Sequence, residues 1–346
     1  MKPIDWIAPK TIAQAANAAS TTMADLMGSN ATGGAVLKAG GIDVIDLMKE
    51  GLAAPSRIVN LREIPGLDFI EGDHRRGLKI GALTTLSVVG RHPGFRPQYA
   101  ALADAVAGSG SVQLRNVSTL GGNLLQRPHC WYFRSNDFRC RRKGGTQCFA
   151  LLGQNQYHAI FENENCAMVH PSTTATALVA LKAEIVLADS QERTRQIALE
   201  DFFVGPGQDL TRENDLHVGE VLTAIVLPPQ PHTTSSVHLK VSERASFDWP
   251  IADVAVALDL STDGVCIEAS IVLGAAAPVP YRAEEAEAAL LGLAVDSDSA
   301  ATAARAALGG ANPLAHNRYK LPIFAALIRR AILQAVNRHN EVQKGQ

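Results

Sequence analysis

The feature that most restricts how this chain can fold is a long segment without periodicity in the middle of an otherwise regular sequence. Between residues 128 and 168, aromatic residues, arginines, glycines and asparagines follow one another with neither helical nor strand spacing. Structureless segments of this length are uncommon in compact domains and usually serve a function. Four of the five cysteines in the 346 residues fall within it, so we expect the segment to bind something through them.

The four clustered cysteines have the placement of metal or cluster ligands rather than of a disulfide framework. Nine residues separate Cys130 from Cys140, seven separate Cys140 from Cys148, and seventeen separate Cys148 from Cys166. Four thiolates suit either a zinc ion or a four-iron cluster. Zinc sites usually contain close Cys-x-x-Cys pairs, which this spacing lacks, so the cluster is favoured and zinc stays the alternative. The isolated Cys266 alternates within a strand and is predicted to be a core residue.

Positive charge surrounds these cysteines. The cationic side chains near them are Arg127, Arg134, Arg139, Arg141, Arg142 and Lys143. Such groups offset the negative charge of a thiolate-ligated cluster and raise its reduction potential, although they would also suit a docking face or a solvated loop. Trp131, Tyr132 and Phe133, beside Cys130, are expected to shield the bound group or simply to pack.

Two glycine pairs lie where a bound anion would be held. A predicted strand over residues 35–39 passes into a predicted helix over residues 42–51 through Gly40 and Gly41. Backbone N–H groups that converge at a helix N-terminus favour an anion, typically phosphate. A second pair, Gly121 and Gly122, would enclose a diphosphate from the other side. Neither pair has the G-x-G-x-x-G spacing, so a Rossmann-type nicotinamide site is disfavoured.

Composition and charge exclude several other classes of protein. The formal net charge is −2, which disfavours binding of nucleic acid through bulk positive charge. No apolar run reaches the roughly 20 residues that a membrane-spanning helix needs. The start of the sequence lacks the layout of a secretory signal, so no signal peptide is expected. No nucleophile–base pair is evident, and we expect no catalytic residue. His170, which precedes a proline, is predicted to have a structural role.

The glycine pairs and their surroundings resemble the FAD-binding subunits of the molybdenum hydroxylases, the xanthine dehydrogenase and carbon monoxide dehydrogenase family. The resemblance lies in AGGIDVIDLMK at residues 39–49 and QLRNVSTLGGNLLQ at residues 113–126, and it extends through residues 81–85, 219–222 and 239–244. It implies an α+β fold with a two-lobed FAD-binding domain of the PCMH type, not a Rossmann domain.

The domain division follows from this resemblance and from a candidate linker, Pro228–Pro231 with Thr233–Ser236. The FAD-binding domain is expected over residues 1–229, as two α/β subdomains with the cysteine-bearing insertion at about residues 126–168. A smaller C-terminal domain over residues 235–340, like that of carbon monoxide dehydrogenase flavoproteins, is expected to contain a three-stranded antiparallel sheet and an Ala-rich helical tail.

The resemblance also implies which residues contact FAD. These are Leu37, Lys38, Ala39, Gly40, Gly41, Ile42, Asp43, Val44, Leu114, Ser118, Thr119, Gly121, Gly122, Asn123, Leu125, Leu222 and Lys240. Lys240 would otherwise be an ordinary lysine on a surface strand. One departure from the family pattern is Thr173, which stands where members commonly carry an aspartate, so a carboxylate contact from that position is lost.

The cysteine insertion resembles the aldehyde oxidoreductase subclass, whose FAD subunit holds an additional 4Fe–4S cluster. The resemblance implies that Cys130, Cys140, Cys148 and Cys166 are its ligands, and that the chain is the FAD and 4Fe–4S electron-transfer subunit of a heterotrimeric molybdenum aldehyde oxidoreductase. The implied partners are a large molybdopterin-binding subunit with the molybdenum cofactor, a small 2Fe–2S subunit and an external electron acceptor. The location would be the periplasm, by co-export with a signal-bearing partner, or the cytoplasm.

Two other functions remain open at this point. A self-sufficient flavin oxidase would need a sizeable substrate-covering domain and often a flavin-tethering histidine, yet few residues follow the linker and no Gly-Gly-His occurs in the glycine loops. A zinc-stapled, non-enzymatic assembly subunit with a decayed flavin site is supported only by Thr173.

Overall fold

The protein folds around three separate sheets, as a computed structural model of residues 3–28, 33–95, 98–244 and 247–344 describes. The strands are β1 (Asp5–Ile7), β2 (Ala35–Lys38), β3 (Arg57–Asn60), β4 (Ile70–Asp73), β5 (Gly77–Gly81), β6 (Glu184–Ala188), β7 (Thr194–Ala198), β8 (Val221–Leu227), β9 (Thr234–Val241), β10 (Ala252–Leu260), β11 (Cys266–Gly274) and β12 (Tyr281–Arg282). The expected α+β class is confirmed.

The helices lie on the faces and between the sheets. They are α1 (Ile12–Ala18), α2 (Met23–Gly28), α3 (Ile42–Lys49), α4 (Leu86–Arg91), α5 (Ala100–Ala107), α6 (Val112–Val117), α7 (Leu120–Leu124), α8 (Thr173–Ala180), α9 (Leu199–Phe202), α10 (Glu284–Ala288), α11 (Ser297–Ala306) and α12 (Lys320–Lys344). In the described part of the chain, no helix has both the length and the apolar composition that crossing a membrane requires.

The first lobe is a small parallel sheet in the order β1-β3-β2. Its middle strand buries Val59 against α1, and Ala15 and Ala16 fill the space beneath it. Thr11 begins α1 by accepting a hydrogen bond from the backbone N–H of Gln14, at 3.1 Å. The carboxyl end of β2 is connected to the start of α3 through a short loop that contains Gly40 and Gly41, the first glycine pair.

The second lobe is an antiparallel sheet in the order β4-β5-β8-β6-β7. Its central strand, β8, is an almost unbroken apolar run and is buried over nearly its whole length, as expected for a strand covered on both faces. Each fully buried side chain such as Ile225 contributes roughly 1.5–3 kcal/mol through apolar burial. Helices α5 and α8 pack into the same core, which also receives Leu120 and Leu124 from the second glycine loop.

The C-terminal sheet has four strands, in the order β12-β11-β10-β9, whereas the sequence predicted three. The missed strand, β12, is only two residues long and pairs Tyr281 with Leu273, so it carries no periodicity from which to recognise it. The predicted helical tail is three helices, of which α12 lies across β9 and β10 and buries Phe324, Ile328 and Ile332. Cys266 is buried at the start of β11, as predicted.

The candidate linker is shorter than its composition suggests. Its second half, from Thr234 onward, is already in β9. Ser236 is buried and donates a hydrogen bond to the Gln98 carbonyl at 2.8 Å, while Ser235 donates to the Ala335 carbonyl at 2.7 Å. These distant partners satisfy the hydroxyl groups, so a Ser/Thr run that is typical of a loop forms the buried start of an edge strand.

The cysteine-bearing segment contains no α-helix or long strand in the described residues 126–168, as predicted, and only one short 3₁₀ turn, Arg141–Lys143. It is tied to both sides of the molecule. The Ile160 backbone N–H donates to the Ala276 carbonyl at 2.8 Å, and the buried Lys320 Nζ donates to the His158 carbonyl at 3.0 Å. Towards the first lobe, Phe133 and Cys140 pack with Leu47 of α3.

Candidate functional site

A cleft with a volume of about 830 Å³ lies where the first and second lobes meet residues around the end of β9. That volume falls within the range of ordinary cofactor sites. It is lined by the predicted flavin-contact residues Leu37, Ala39, Gly40, Gly41, Ile42, Asp43, Val44, Leu114, Ser118, Thr119, Gly121, Gly122, Asn123, Leu125, Leu222 and Lys240. Of the predicted set, Lys38 does not line it. The Lys38 Nζ instead lies 5.4 Å from the centre of the Trp6 ring and donates to Asn60 Oδ1 at 3.2 Å.

The helix that follows the first glycine pair begins with backbone N–H groups that are free to bind a group in the cleft. Gly41 is the N-cap of α3 and supplies no side-chain cap, and the first intrahelical bond runs from the Ile45 N–H to the Gly41 carbonyl. In the described structure, the backbone N–H groups of Ile42, Asp43 and Val44 therefore have no helical partner. Their direction and the dipole of α3 favour a bound anion.

Close packing explains why both positions of this pair are glycine. A Cβ on Gly40 would lie 2.4 Å from the Val117 carbonyl oxygen, because the first loop runs directly against the segment before the second. Gly41 has a φ of +88°, and its Cβ would meet the Lys38 side chain at 2.5 Å. The pair therefore brings the two glycine loops into contact.

The backbone N–H groups of the second glycine loop are already hydrogen-bonded within the protein. The N–H groups of Leu120 and Gly121 donate to the carbonyls of Thr84 and Ala82, both at 2.9 Å, and the Gly122 N–H donates to Thr119 Oγ1 at 3.1 Å. A Cβ on Gly121 would lie 2.9 Å from the Ala82 Cβ. This loop thus shapes the wall of the cleft, while the anion donors come from the first loop.

The polar side chains of the two loops are already engaged. Asp43 Oδ2 accepts from the Arg127 backbone N–H at 2.9 Å, and Asp43 Oδ1 accepts from Arg134 Nη2 at 2.6 Å. Asn123 Oδ1 accepts from the Ser172 hydroxyl, at 2.6 Å. Thr173, at the position of the expected aspartate, lines the cleft with its hydroxyl 2.6 Å from Ser109 Oγ.

Lys240 is held at the cleft rather than extended into solvent. Its Nζ donates to the carbonyls of Gly108 at 2.9 Å and Asp248 at 2.6 Å. Burial lowers the pKa of Lys240 below its ordinary value. His170 is buried outside the cleft lining, its ring centre 4.5 Å from that of Phe203, and burial together with Arg142 lowers its pKa to about 3. The ring is therefore neutral, which agrees with a structural role.

Several cleft residues come from parts of the chain that sequence reasoning did not single out. They include Thr21, Thr22, Ser109, Arg212, Glu213, His217 and Trp249. His129 and Trp249 stack at 3.9 Å between ring centres, and burial with the nearby Arg134 lowers the pKa of His129 well below its ordinary value. No local motif marks these positions, because tertiary packing brings them together over long sequence separations.

The four predicted cysteines line one small internal cavity behind the first glycine loop. Its other walls include Tyr132, Phe133, Phe149 and Met168, whereas Trp131 lies outside the lining and contacts Tyr132 edge-on. Among the described residues, no three His, Cys, Asp or Glu side chains are grouped so that they could hold a single metal ion. A four-iron cluster places its thiolates around a larger body than one ion, and the donor set of four cysteines is the one it requires.

Burial opposes ionisation of the four thiols, so thiolates in this cavity would need compensating positive charge. Burial raises the pKa of Cys130 to about 12 and also raises that of Cys140. A hydrogen bond shared with Cys166 lowers the pKa of Cys148 to about 6, and the same contact with burial raises that of Cys166. Because thiolates are the metal-binding form, bound metal would supply the missing compensation. The residues present thus fit an iron–sulfur group.

The predicted cations take different roles around this cavity. Arg142 Nε donates to Cys166 Sγ at 3.3 Å, and Arg127 and Arg134 form ion pairs with Glu213 and Asp43. Arg141 and Lys143 donate to backbone carbonyls, and Arg139 is exposed. A further contact joins Cys130 Sγ to His158 Nε2 at 3.2 Å.

Comparison with known proteins gives the same assignment over most of the chain. A model of the FAD-binding domain in molybdopterin dehydrogenase matches residues 2–230, and a model of the CO dehydrogenase flavoprotein C-terminal domain matches residues 237–335. The aldehyde oxidoreductase FAD-binding subunit PaoB of Escherichia coli (strain K12) is 35% identical over 290 residues, which are 83% of this chain and 87% of that protein.

Two further similarities agree with it. The nicotinate dehydrogenase FAD-subunit of Eubacterium barkeri is 26% identical over 293 residues, covering 84% of this chain and 81% of that protein. A carbon monoxide dehydrogenase structure from Hydrogenophaga pseudoflava shares the fold, with a TM-score of 0.72 and 24% identity over 97% of this chain and 98% of that chain. The PCMH-type fold and the flavin-binding assignment are confirmed, and the chain belongs to the FAD-binding medium subunits of the molybdenum hydroxylase and carbon monoxide dehydrogenase family of oxidoreductases.

Proposed function

We propose that this chain is the FAD and 4Fe–4S electron-transfer subunit of a heterotrimeric molybdenum-dependent aldehyde oxidoreductase. The observation that carries the proposal is that all four cysteines of the insertion line one buried cavity beside the flavin cleft. The similarity to an aldehyde oxidoreductase subunit supports aldehydes as the substrate class. The bound groups would supply electron transfer, from a large molybdopterin-binding subunit with the molybdenum cofactor and a small 2Fe–2S subunit to an external acceptor.

The first glycine loop would hold the anionic part of FAD. The N–H groups of Ile42, Asp43 and Val44 would donate to the diphosphate, since they lack helical partners and face the cleft. Gly121 and Leu222 would contact the cofactor through van der Waals packing only, because the N–H groups of the second loop are already hydrogen-bonded within the protein. Lys240, anchored on two carbonyls, would place a positive charge at the same cleft.

The cysteine-bearing segment would hold the iron–sulfur group. Cys130, Cys140, Cys148 and Cys166 would be its ligands, and the apolar walls around them would exclude water. Arg142 would offset the negative charge of the ligands through its contact with Cys166. We assign no catalytic residue to this chain, and the substrate site would lie in the large subunit.

We propose the domain boundaries as the sequence predicts them, with FAD binding over residues 1–229 and the C-terminal domain over residues 235–340. For location we propose the periplasm, reached by co-export with a signal-bearing partner, with the cytoplasm as the alternative. Fractionation of cells that express the whole complex would distinguish the two compartments.

The cofactor content of the intact complex tests the proposal. After anaerobic purification with its partners, we expect one FAD and about eight irons, four in two 2Fe–2S clusters and four in the additional cluster. Zinc in place of the additional four irons would support the zinc-stapled subunit instead. Oxidation of an aldehyde by the isolated chain without its partners would favour the self-sufficient flavin oxidase.

A further inference from the structure

Three buried charged side chains connect the flavin cleft with the cysteine cavity. Glu213 lies between them and is only 4% exposed. Its Oε1 accepts from Arg142 Nη1 at 2.7 Å, and its Oε2 lies 3.3 Å from Arg127 Nε. Arg142, 1% exposed, lines the cysteine cavity, and Arg127, 3% exposed, lines the flavin cleft. We call Arg127, Glu213 and Arg142 the buried triad.

Arg142 is the member of the triad that reaches a predicted cluster ligand. Its Nε donates to Cys166 Sγ at 3.3 Å, while its Nη1 also donates to the Arg212 carbonyl at 3.2 Å. Contacts on two sides fix the orientation of the guanidinium plane. In the described part of the chain, no other arginine or lysine donates a hydrogen bond to a cysteine sulfur.

The triad carries one more positive charge than negative. Two guanidinium groups share a single carboxylate, and Nη2 of both Arg127 and Arg142 is buried without a hydrogen-bond partner. Burying an uncompensated charge is strongly unfavourable, so the arrangement is suited to a nearby anion. Four thiolates around an iron–sulfur core form such an anion, and reduction makes it more negative.

We propose that Arg142 is a positioning residue that sets the reduction potential of the iron–sulfur group, and that Glu213 and Arg127 hold it against Cys166. This inference rests on the proposed function. A fixed cation that donates a hydrogen bond to a ligand sulfur stabilises the reduced, more negative state and therefore raises the potential.

Location and contacts separate Arg142 from two other arginines of the segment, Arg139 and Arg141. Arg139 is exposed, so water and salt screen its charge. Arg141 donates to the carbonyls of Thr146 and Asn165 and to no sulfur. Arg142 is enclosed by protein, where the same charge acts with less screening. Arg139 therefore provides a matched control, with the same charge in the same segment.

The test is a redox titration of the intact complex, followed by electron paramagnetic resonance of the cluster. The variants are Arg142→Met, Arg142→Lys and the control Arg139→Met, each with its iron and FAD content measured. We expect Arg142→Met to disfavour one-electron reduction about tenfold, which corresponds to a fall of about 59 mV. The reduction potential of Arg142→Lys should fall less, because lysine keeps the positive charge and lacks only the planar guanidinium group. Arg139→Met should match the parent protein.

The outcomes distinguish this inference from the proposed function. Four additional irons in Arg142→Met with an unchanged potential would overturn the role of Arg142 alone. If Arg142→Met loses its iron, Arg142→Lys decides: a lowered potential with full iron supports the inference, and an unchanged one overturns it. A parent complex without the additional cluster would overturn both proposals together.

Discussion

At Gly40 and Val117, the two glycine loops approach each other so closely that no side chain fits between them. A Cβ on Gly40 would lie only 2.4 Å from the Val117 carbonyl oxygen. That oxygen belongs to the backbone and cannot turn aside as a side chain could, so residue 40 has to be glycine. The glycine pair is therefore needed for contact between the loops, directly before the free N–H groups of Ile42, Asp43 and Val44. This explains why a loop motif readable from sequence also fixes the tertiary arrangement.

We predict that Gly40→Ala weakens FAD retention by about tenfold or more, because relief of an overpacked contact typically costs about 1–3 kcal/mol. Gly205→Ala is the matched control, since a Cβ there meets nothing within 4 Å. Flavin retained after gel filtration of the complex, measured by absorbance, would report the loss. Equal retention in the two variants would show that the loops can separate without consequence.

Lys320 is a buried amine whose protonation should appear in the stability of the protein. Burial lowers its pKa to about 7, only partly offset by Asp253. The unfolded chain therefore binds more protons at this group between pH 7 and about 10.4, the ordinary value for lysine, so the group makes stability rise with pH over that interval.

We predict that Lys320→Met removes this rise. The Tm of the parent minus the Tm of the variant should increase from pH 7 to pH 9.5, because only the parent gains stability from the group. Lys79→Met, at an exposed position, is the control for the loss of a lysine. A flat difference for Lys320→Met would mean that the amine keeps its ordinary acidity in the folded protein.

Among the elements, α3 connects the flavin cleft to the cysteine-bearing segment. Arg134 donates to Asp43 at 2.6 Å and to Asp46 at 3.0 Å, both on α3, and its Nε donates to the Pro128 carbonyl at 2.7 Å. One side chain of the insertion thus fixes the helix whose N-terminus faces the cleft. The insertion would therefore support the proposed flavin site, whatever group it binds itself.

We predict that Arg134→Met lowers the affinity for FAD about tenfold while the iron content stays unchanged. The reason is that a hydrogen bond to a charged group contributes about 1.5–3 kcal/mol, and each 1.4 kcal/mol is a factor of ten. Titration of FAD into the flavin-depleted complex would measure the affinity, and Arg139→Met would serve as the control. Unaltered affinity would show that α3 keeps its position without this ion pair.

The elements also show what the sequence could and could not reveal. The apolar run of β8 and the strand–glycine–helix junction at Gly40 were readable because local pattern determines them. The strand β12 was missed because two residues carry no period, and Ser236 was read as linker because its buried partner, the Gln98 carbonyl, is 138 residues away. The contact between Arg142 and Glu213, 71 residues apart, is likewise tertiary and has no local signal.

At the scale of the whole molecule, the cysteine-bearing segment holds the flavin cleft and the cysteine cavity in a fixed relation to each other. The insertion packs on α3 at one end and on the C-terminal domain at the other, through Ile160 and the buried Lys320. The buried triad then joins the two sites through charge. This member of an FAD-binding family thus contains, besides the cleft, a cavity lined by four cysteines.

The iron content and cluster signal of a Cys140→Ser/Cys148→Ser variant of the intact complex test the proposed ligand set most directly. Cys266→Ser serves as the control, because that cysteine is buried in β11, away from the cavity. We expect the double variant to lose about four irons and the corresponding paramagnetic resonance signal, and the control to keep both. Survival of both in the double variant would contradict the proposed ligand set.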